Sequence, residues 1–285
     1  MQTIAYYDGK IGSPDELTVP FNDRTHFFGD GVYDAAMGAN GRIFLVDEHL
    51  DRFFSSAAIF GINVPVPRQE LRDLLHNLLA QVDGPSYLVY WQVSRGIQLR
   101  GHAYDPEISG KLSAVLVPDP MAEPDVPLKL ITHEDLRFGY CHVKTLNLMP
   151  AVQYSQMAKI AGADETVLHR DGFVTECAHS NVSILRDGVL YSHPNDNHIL
   201  RGIAKTHLIQ ACYKEGVAVM ERAFTLDEMM NADEVIVTAS SHPCNVANEV
   251  DGVAVGGRDP ETIARLQRVT YQEYLDYCGL DDLPR

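Results

Sequence analysis

The sequence is short of positive charge: 23 Lys and Arg stand against 39 Asp and Glu, a formal net charge of −16. That balance disfavours nucleic acid or an anionic membrane surface as the main partner and points to small molecules. Lysine is scarcest, with seven in 285 residues. The five cysteines (Cys141, Cys177, Cys212, Cys244, Cys278) are odd in number, widely spaced and without a Cys-x-x-Cys pair. No disulfide framework is written there, and reduced thiols are expected. No apolar run approaches the roughly 18 residues of a membrane span. The start, Met1 to Asp8, has neither the basic residues nor the apolar stretch of a signal peptide, so the expected location is the cytoplasm. Gly-x-Ser-x-Gly and the P-loop lysine motif are absent, leaving no sign of a serine hydrolase or a P-loop enzyme. Gly29-Asp30-Gly31 lacks the third glycine of a dinucleotide fingerprint and reads as a tight turn. Cys177-x-His179 and His242-x-Cys244 have metal-binding residue types, but neither spacing closes a zinc site, so no metal is expected.

What is present describes an ordinary globular protein, 45% hydrophobic and 22% charged, long enough for roughly two domains at about 150 residues each. Four prolines between Pro118 and Pro127 exclude a helix or central strand there. The expected division is a small N-terminal α/β domain at 1–118, a proline-rich linker at 119–127 and a larger C-terminal domain at 128–285. In the first half, Ile4 to Tyr7 enters a hairpin at Asp8-Gly9-Lys10, and Asp47 is expected to cap a helix bearing Leu50, Phe53, Phe54, Ala57 and Ala58. Pro67 opens a second helix, with Leu71, Leu74, Leu75, Leu78, Leu79 and Val82 on one stripe, which Asp83-Gly84-Pro85 stops. Strands follow at Tyr87 to Ser94 and Leu112 to Val117. In the second half, Asp-Gly pairs at 171–172, 187–188 and 251–252 mark hairpin turns, and helices are expected at 150–161, 203–215 and 260–277. Strands and helices do not alternate strictly, so the fold class is α+β.

Lys144 lies in His142-Val143-Lys144-Thr145-Leu146-Asn147-Leu148, where strand alternation would place it on the face of Leu146 and Leu148. A half-buried amine is nucleophilic enough for Schiff-base chemistry, although a surface lysine at a sheet edge has the same pattern. Leu200-Arg201-Gly202-Ile203-Ala204 runs into a helix whose first amides suit a phosphate, or form an ordinary glycine turn. Arg52, on the helix after Asp47, is a bidentate donor able to complete such a site. Arg100 and His102, two residues apart, can converge on one carboxylate if the chain is extended.

In order, these pieces resemble the fold-type IV pyridoxal-phosphate aminotransferases, and among them the D-amino acid aminotransferases. The resemblance runs through Asp23-Arg24-Thr25-His26-Phe27-Phe28-Gly29-Asp30-Gly31-Val32-Tyr33, Glu48-His49-Leu50-Asp51-Arg52, Arg100-x-His102, Lys144-Thr145-Leu146-Asn147-Leu148, Val174-Thr175-Glu176, Ser180-Asn181-Val182 and Leu200-x-Gly202-Ile203. It implies two α/β domains with pyridoxal 5′-phosphate between them. Lys144 would then bind the cofactor and shuttle the substrate Cα proton, and Glu176 would face the pyridine nitrogen. Arg52, the backbone at Ile203 and Ala204, and Ser240 would hold the phosphate, with Leu200 against the ring. Tyr33, Arg100 and His102 would grip the substrate α-carboxylate, the Arg-x-His loop coming from the second subunit of a homodimer. The implied reaction is ping-pong: D-alanine and 2-oxoglutarate give pyruvate and D-glutamate.

Three positions depart from the family pattern. Cys177-Ala178-His179-Ser180 replaces a Gly-Ser-Ser-Ser stretch, Ala204 stands where a threonine hydroxyl commonly meets the phosphate, and Asp34 replaces a glutamate after Tyr33. The alternatives within the fold are a branched-chain L-amino acid aminotransferase and an aminodeoxychorismate lyase. A scaffold protein that had lost the chemistry would have no need of Lys144, Glu176 and Arg52 together.

Overall fold

In the computed structural model, which describes residues 2–284, four Asp-Gly pairs reverse the chain between antiparallel strands. Asp8-Gly9, Asp171-Gly172, Asp187-Gly188 and Asp251-Gly252 all carry positive φ at both residues, the backbone that matches the natural twist of a two-residue hairpin. The chain divides into two compact units: residues up to 121 with 143–147 and those from 275 onward, and residues 122–142 with 148–274.

The first unit holds one antiparallel sheet of β1 (Ile4–Tyr7), β2 (Lys10–Gly12), β3 (Gly31–Ala39), β4 (Arg42–Ile43), β5 (Tyr87–Ser94) and β6 (Lys111–Pro118), in the order β2-β1-β6-β5-β3-β4. Its helices are α1 (Arg24–Phe28), α2 (Val46–Ile59) and α3 (Arg68–Leu79). Alternate residues of β5, Tyr87, Val89, Trp91 and Val93, are buried and join Leu50, Phe53 and Ala57 of α2 and Leu71, Leu75 and Leu78 of α3 in one core. This is the period-2 face of a strand meeting the stripe of a helix.

Two boundaries differ from expectation. Asp47 does not cap α2: Leu45 takes that position with φ 51 and no side-chain bond. Asp47 lies in the first turn, where a carboxylate suits the positive end of the dipole, and meets Arg68 at 3.0 Å. Helix α3 ends at Leu79, before Asp83-Gly84-Pro85, yet Val82 still packs against the core. Gly29 closes α1 with φ 60, its N–H donating to Thr25 O, a left-handed cap that glycine adopts without cost.

The second unit holds β7 (Leu128–Glu134), β8 (Glu165–Arg170), β9 (Phe173–Cys177), β10 (Asn181–Arg186), β11 (Val189–Ser192), β12 (Ala218–Glu221), β13 (Glu234–Ala239), β14 (His242–Val250) and β15 (Val253–Ala254), with α4 (Met149–Ala161), α5 (Ile203–Lys214), α6 (Leu226–Met230) and α7, which spans Pro260–Cys278 and so extends past this unit's last residue. The strand order is β12-β11-β10-β13-β14-β7-β8-β9, with β15 on β14. β11–β12, β14–β7 and β7–β8 are parallel. Both faces of the central strands are buried. Val182, Ile184, Val235 and Val237 join Phe224 on one side, while Leu185 and Ile236 meet Leu208 and Cys212 of α5 and Leu266 of α7 on the other. One antiparallel and one mixed sheet, each with its own helices, make the fold α+β, and the three helices expected at 150–161, 203–215 and 260–277 form within one residue of those limits. All five cysteines are free, and among the described residues no helix is long and apolar enough to cross a membrane.

Candidate active site

Lys144 does not lie on a strand. Residues 143–147 instead run beside the start of β3, with a single bridge between Val32 and Thr145. Tyr33 N donates to Lys144 O and Leu146 N donates to Gly31 O, both at 3.0 Å, while Lys144 N reaches Ser56 Oγ at 3.3 Å. Gly31 permits this approach: a Cβ there would lie 2.6 Å from both Leu146 Cδ1 and Val93 O. Val143 and Thr145 are buried, and Lys144 Nζ comes 3.3 Å from Tyr33 Oη and 4.4 Å from the centre of its ring. Tyr33 stacks on Tyr90, centroids 5.4 Å apart, which fixes the phenol facing the amine.

The residue after Tyr33 organises its own cluster. Asp34 is fully buried. It accepts from Arg52 Nε at 2.8 Å, Arg52 Nη2 at 2.7 Å and His49 Nδ1 at 2.8 Å. Burial alone would raise its pKa, but the charges and hydrogen bonds of Arg52 and His49 overcome that and hold the carboxyl well below the usual range. His49 is pushed down, by burial first and against the pull of Asp34. Its Nδ1 therefore carries the proton it donates to Asp34. Arg52 is thus an oriented cation with one edge committed to Asp34.

Arg100 and His102 gather around Phe28, at 5.3 Å each from its ring. Their loop is held by a residue the sequence reading assigned no role. Buried Arg24 donates to Gly101 O at 2.7 Å, His102 O at 3.2 Å and Asp30 Oδ2 at 2.8 Å. Arg95 takes the same Asp30 at 2.9 Å and lies 3.8 Å over the Tyr104 ring.

In the second unit, Glu176 on β9 accepts from Arg137 Nη1 at 2.6 Å, Asn181 Nδ2 at 2.9 Å and Leu200 N at 3.0 Å. Arg137 is fastened by Asp135 at 3.0 Å through Nε and through Nη2, and Asp135 also accepts from Arg170 and Thr175, each at 3.1 Å. The sequence reading named neither Arg137 nor Asp135; only tertiary structure brings them to Glu176. The Asn181 amide also donates to Leu200 O at 3.0 Å. A Cβ on Gly202 would sit 1.9 Å from Asn181 Oδ1, so only glycine fits at that turn. Gly202 is the N-cap of α5 and no side chain caps the helix. Ile203 and Ala204 therefore present amides at its positive end.

His179 turns to Glu165, which also accepts from Ser180 Oγ at 2.8 Å. Burial would raise the Glu165 pKa, and His179 reverses the shift. The thiols of Cys177 and Cys244 are buried in the two cores of this unit and pushed up by burial.

These residues fit the cofactor that the sequence resemblance implies. Thr238, in register with Asn181 and so on the same face of the sheet, has a buried Oγ1 with no protein partner. An uncapped helix N-terminus suits a phosphate, and a buried carboxylate set by an arginine suits a protonated ring nitrogen. Ser240 follows directly on β13.

Comparison with known proteins agrees. Residues 31–248 match the model of the family described as amino-transferase class IV. A D-alanine aminotransferase of Listeria monocytogenes is 38% identical over 272 residues, covering 93% of this chain and 94% of the relative. That of Bacillus licheniformis is 35% identical over 264 residues, covering 91% and 92%. The fold matches the branched-chain aminotransferase of the archaeon Thermoproteus uzoniensis, solved with norvaline, at a TM-score of 0.83 and 19% identity over 98% of this chain and 96% of that one. The family match over most of the chain, together with the identities to the two curated relatives, settles the family: the chain belongs to the class IV aminotransferases.

Proposed function

We propose that this protein transfers the amino group of D-amino acids to 2-oxo acids with pyridoxal 5′-phosphate, taking D-alanine and 2-oxoglutarate to pyruvate and D-glutamate. The relatives named D-alanine aminotransferase support that substrate class, and the observation that carries the chemistry is Lys144 Nζ held 3.3 Å from Tyr33 Oη. When bound, the cofactor supplies an aldehyde that exchanges amines and a protonated ring that accepts electron density from the substrate Cα. Lys144 would hold it covalently, and its amine would serve as the base for the substrate Cα proton. Tyr33 steadies that amine from one side. Glu176 keeps the ring nitrogen protonated, and Arg137 and Asn181 keep Glu176 aimed. Arg52, the Ile203 and Ala204 amides and Ser240 would bind the phosphate, and Leu200 would lie against the ring.

Tyr33, Arg100 and His102 bind the α-carboxylate. Arg24 pins the backbone of the Arg100-x-His102 loop while leaving both side chains exposed, an arrangement that suits a homodimer in which this loop serves the partner's site. Five free thiols suit a reducing compartment such as the cytoplasm.

The visible spectrum of the cofactor-loaded protein, read before and after D-alanine with L-leucine and L-alanine in parallel, tests the reading. Loss of the cofactor band with D-alanine alone is the expected result. Loss with L-leucine would move the enzyme to the branched-chain class. Repeated turnover of aminodeoxychorismate to pyruvate without an amino acceptor would select the lyase, whereas D-alanine alone gives a transaminase one equivalent at most.

A further inference from the structure

The loop between β11 and α5 brings together three side chains that the transamination chemistry does not use. His193 Nε2 lies 3.1 Å from Asp196 Oδ2, His198 Nδ1 lies 3.7 Å from the same oxygen, and the three ligand atoms fall within 4.8 Å of one another. Bonds of about 2.0–2.1 Å at tetrahedral angles would separate zinc ligands by about 3.3 Å, a value that the two observed distances straddle.

The orientation of His193 is the second observation. Its ring is buried, with the side chain 7% exposed, and Nδ1 faces Val174 O at 2.8 Å. A carbonyl only accepts, so Nδ1 must carry a proton. That contact leaves Nε2 pointing at Asp196 Oδ2, 3.1 Å away, so the second ring nitrogen and the carboxylate converge on one point. A backbone carbonyl fixing the far nitrogen is also how metal-bound imidazoles are held. Asp196 is oriented in turn, its Oδ1 accepting from His198 N at 2.8 Å.

From this geometry we propose that His193, Asp196 and His198 bind a divalent first-row metal ion such as zinc, leaving a fourth position to water. Two imidazoles and a carboxylate are a donor set of that class. Asp196 and His198 are 38% and 37% exposed, which gives the ion a path from solvent. The ammonium of Lys205 supports the loop from beneath by donating to His193 O and Asn195 Oδ1. Its charge is met by Glu221 Oε2 at 3.9 Å, which limits its repulsion of the ion. Arg137 donates to His198 O at 3.2 Å, so the metal would brace the loop that leads to Leu200.

The test is calorimetric titration of the chelator-washed, cofactor-loaded protein with zinc chloride alone, alongside His198→Gln and Asp196→Asn. One zinc per protomer on the parent, weakened at least tenfold in each variant, is the expected result, with a zinc-dependent rise in Tm that both variants lose. Equal zinc binding in all three proteins would place the ion elsewhere, on a thiol or the cofactor, and overturn the proposal. Absence of binding to the parent would overturn it too, leaving His193 and Asp196 as a hydrogen-bonded pair. Anomalous diffraction at the zinc edge gives an answer that does not depend on how the variants fold: density must lie at His193 Nε2.

Discussion

Asp34 takes both Nε and Nη2 of Arg52, at 2.8 and 2.7 Å, on a carboxylate with no exposure to solvent. Removing one member of such a buried pair leaves the other charge uncompensated, at about 3–5 kcal/mol. Asp34→Asn is therefore expected to lower the unfolding free energy by that order, read as a fall in the urea midpoint at unchanged m. It should also weaken cofactor binding, because the guanidinium loses the partner that orients it. An unchanged midpoint would show that Arg52 needs no anchor.

Glu176 and Arg137, joined at 2.6 Å, differ in that Arg137 still has Asp135 when Glu176 loses its charge. Glu176→Gln keeps the shape and loses the charge facing the ring nitrogen. Turnover should fall by about tenfold or more, equivalent to about 1.4 kcal/mol in the barrier, with little change in Tm. Arg137→Met should cost stability as well, since it strands Glu176 and Asp135 together. Single-turnover rates with D-alanine separate the two outcomes.

Gly202→Ala should weaken cofactor binding and cost some stability as well. The added methyl would fall 1.9 Å from Asn181 Oδ1. Asn181 would have to leave Glu176 and Leu200, two hydrogen bonds worth about 0.5–1.5 kcal/mol each. Equilibrium dialysis against pyridoxal 5′-phosphate should show weaker binding. Unaltered affinity would mean that the α5 amides hold the phosphate without help from Asn181.

Acid sensitivity should be traceable to histidine. Burial first, then the nearby charge of His179, lowers the His242 pKa from 6.5 to about 4. Between those values the unfolded chain binds a proton that the folded protein refuses. Stability is therefore full above about pH 6.5 and declines as pH falls toward 4, by at most about 1.4 kcal/mol per pH unit for one proton. His49, shifted in the same direction, adds to this slope. Asp34 contributes only below about pH 3.9, where its unfolded form protonates. Thermal unfolding of His242→Asn from pH 7 to 4 should show a shallower decline that His49 keeps from vanishing. A slope identical to the parent's would remove His242 from the account.

Local chemistry was legible in the sequence, and non-local pairing was not. An Asp-Gly pair between apolar runs carries its own backbone preference, so all four turns could be read from adjacent residues. The apolar stripe of α3 was legible for the same reason. Lys144 could be named but not placed: alternation suggested a strand, whereas residues 143–147 take their shape from hydrogen bonds to Gly31 and Tyr33, more than a hundred positions away. Asp34 stood out only as a departure, because its partners His49 and Arg52 meet it through the packing of α2 on β3. Arg137 gave no sequence signal beyond being an arginine, and Arg24 lay in a block carrying the resemblance without a role assigned to it. The cluster at His193, Asp196 and His198 escaped because its spacing matches no regular metal motif, and the orientation of a ring is invisible in a string of letters.

The composition of the first unit has a consequence for biosynthesis. Residues up to 121 emerge first, yet their unit also includes 143–147 and the chain from 275 onward. Asn40 donates to Cys278 O and Arg42 to Tyr277 O, bonds that cannot form until roughly 150 further residues have been made, about 8–30 s at ribosomal rates of about 5–20 residues per second. The half of the protein that is translated first is thus completed last, and during that interval the nascent chain carries a β3–β4 turn whose partners have not yet been synthesised.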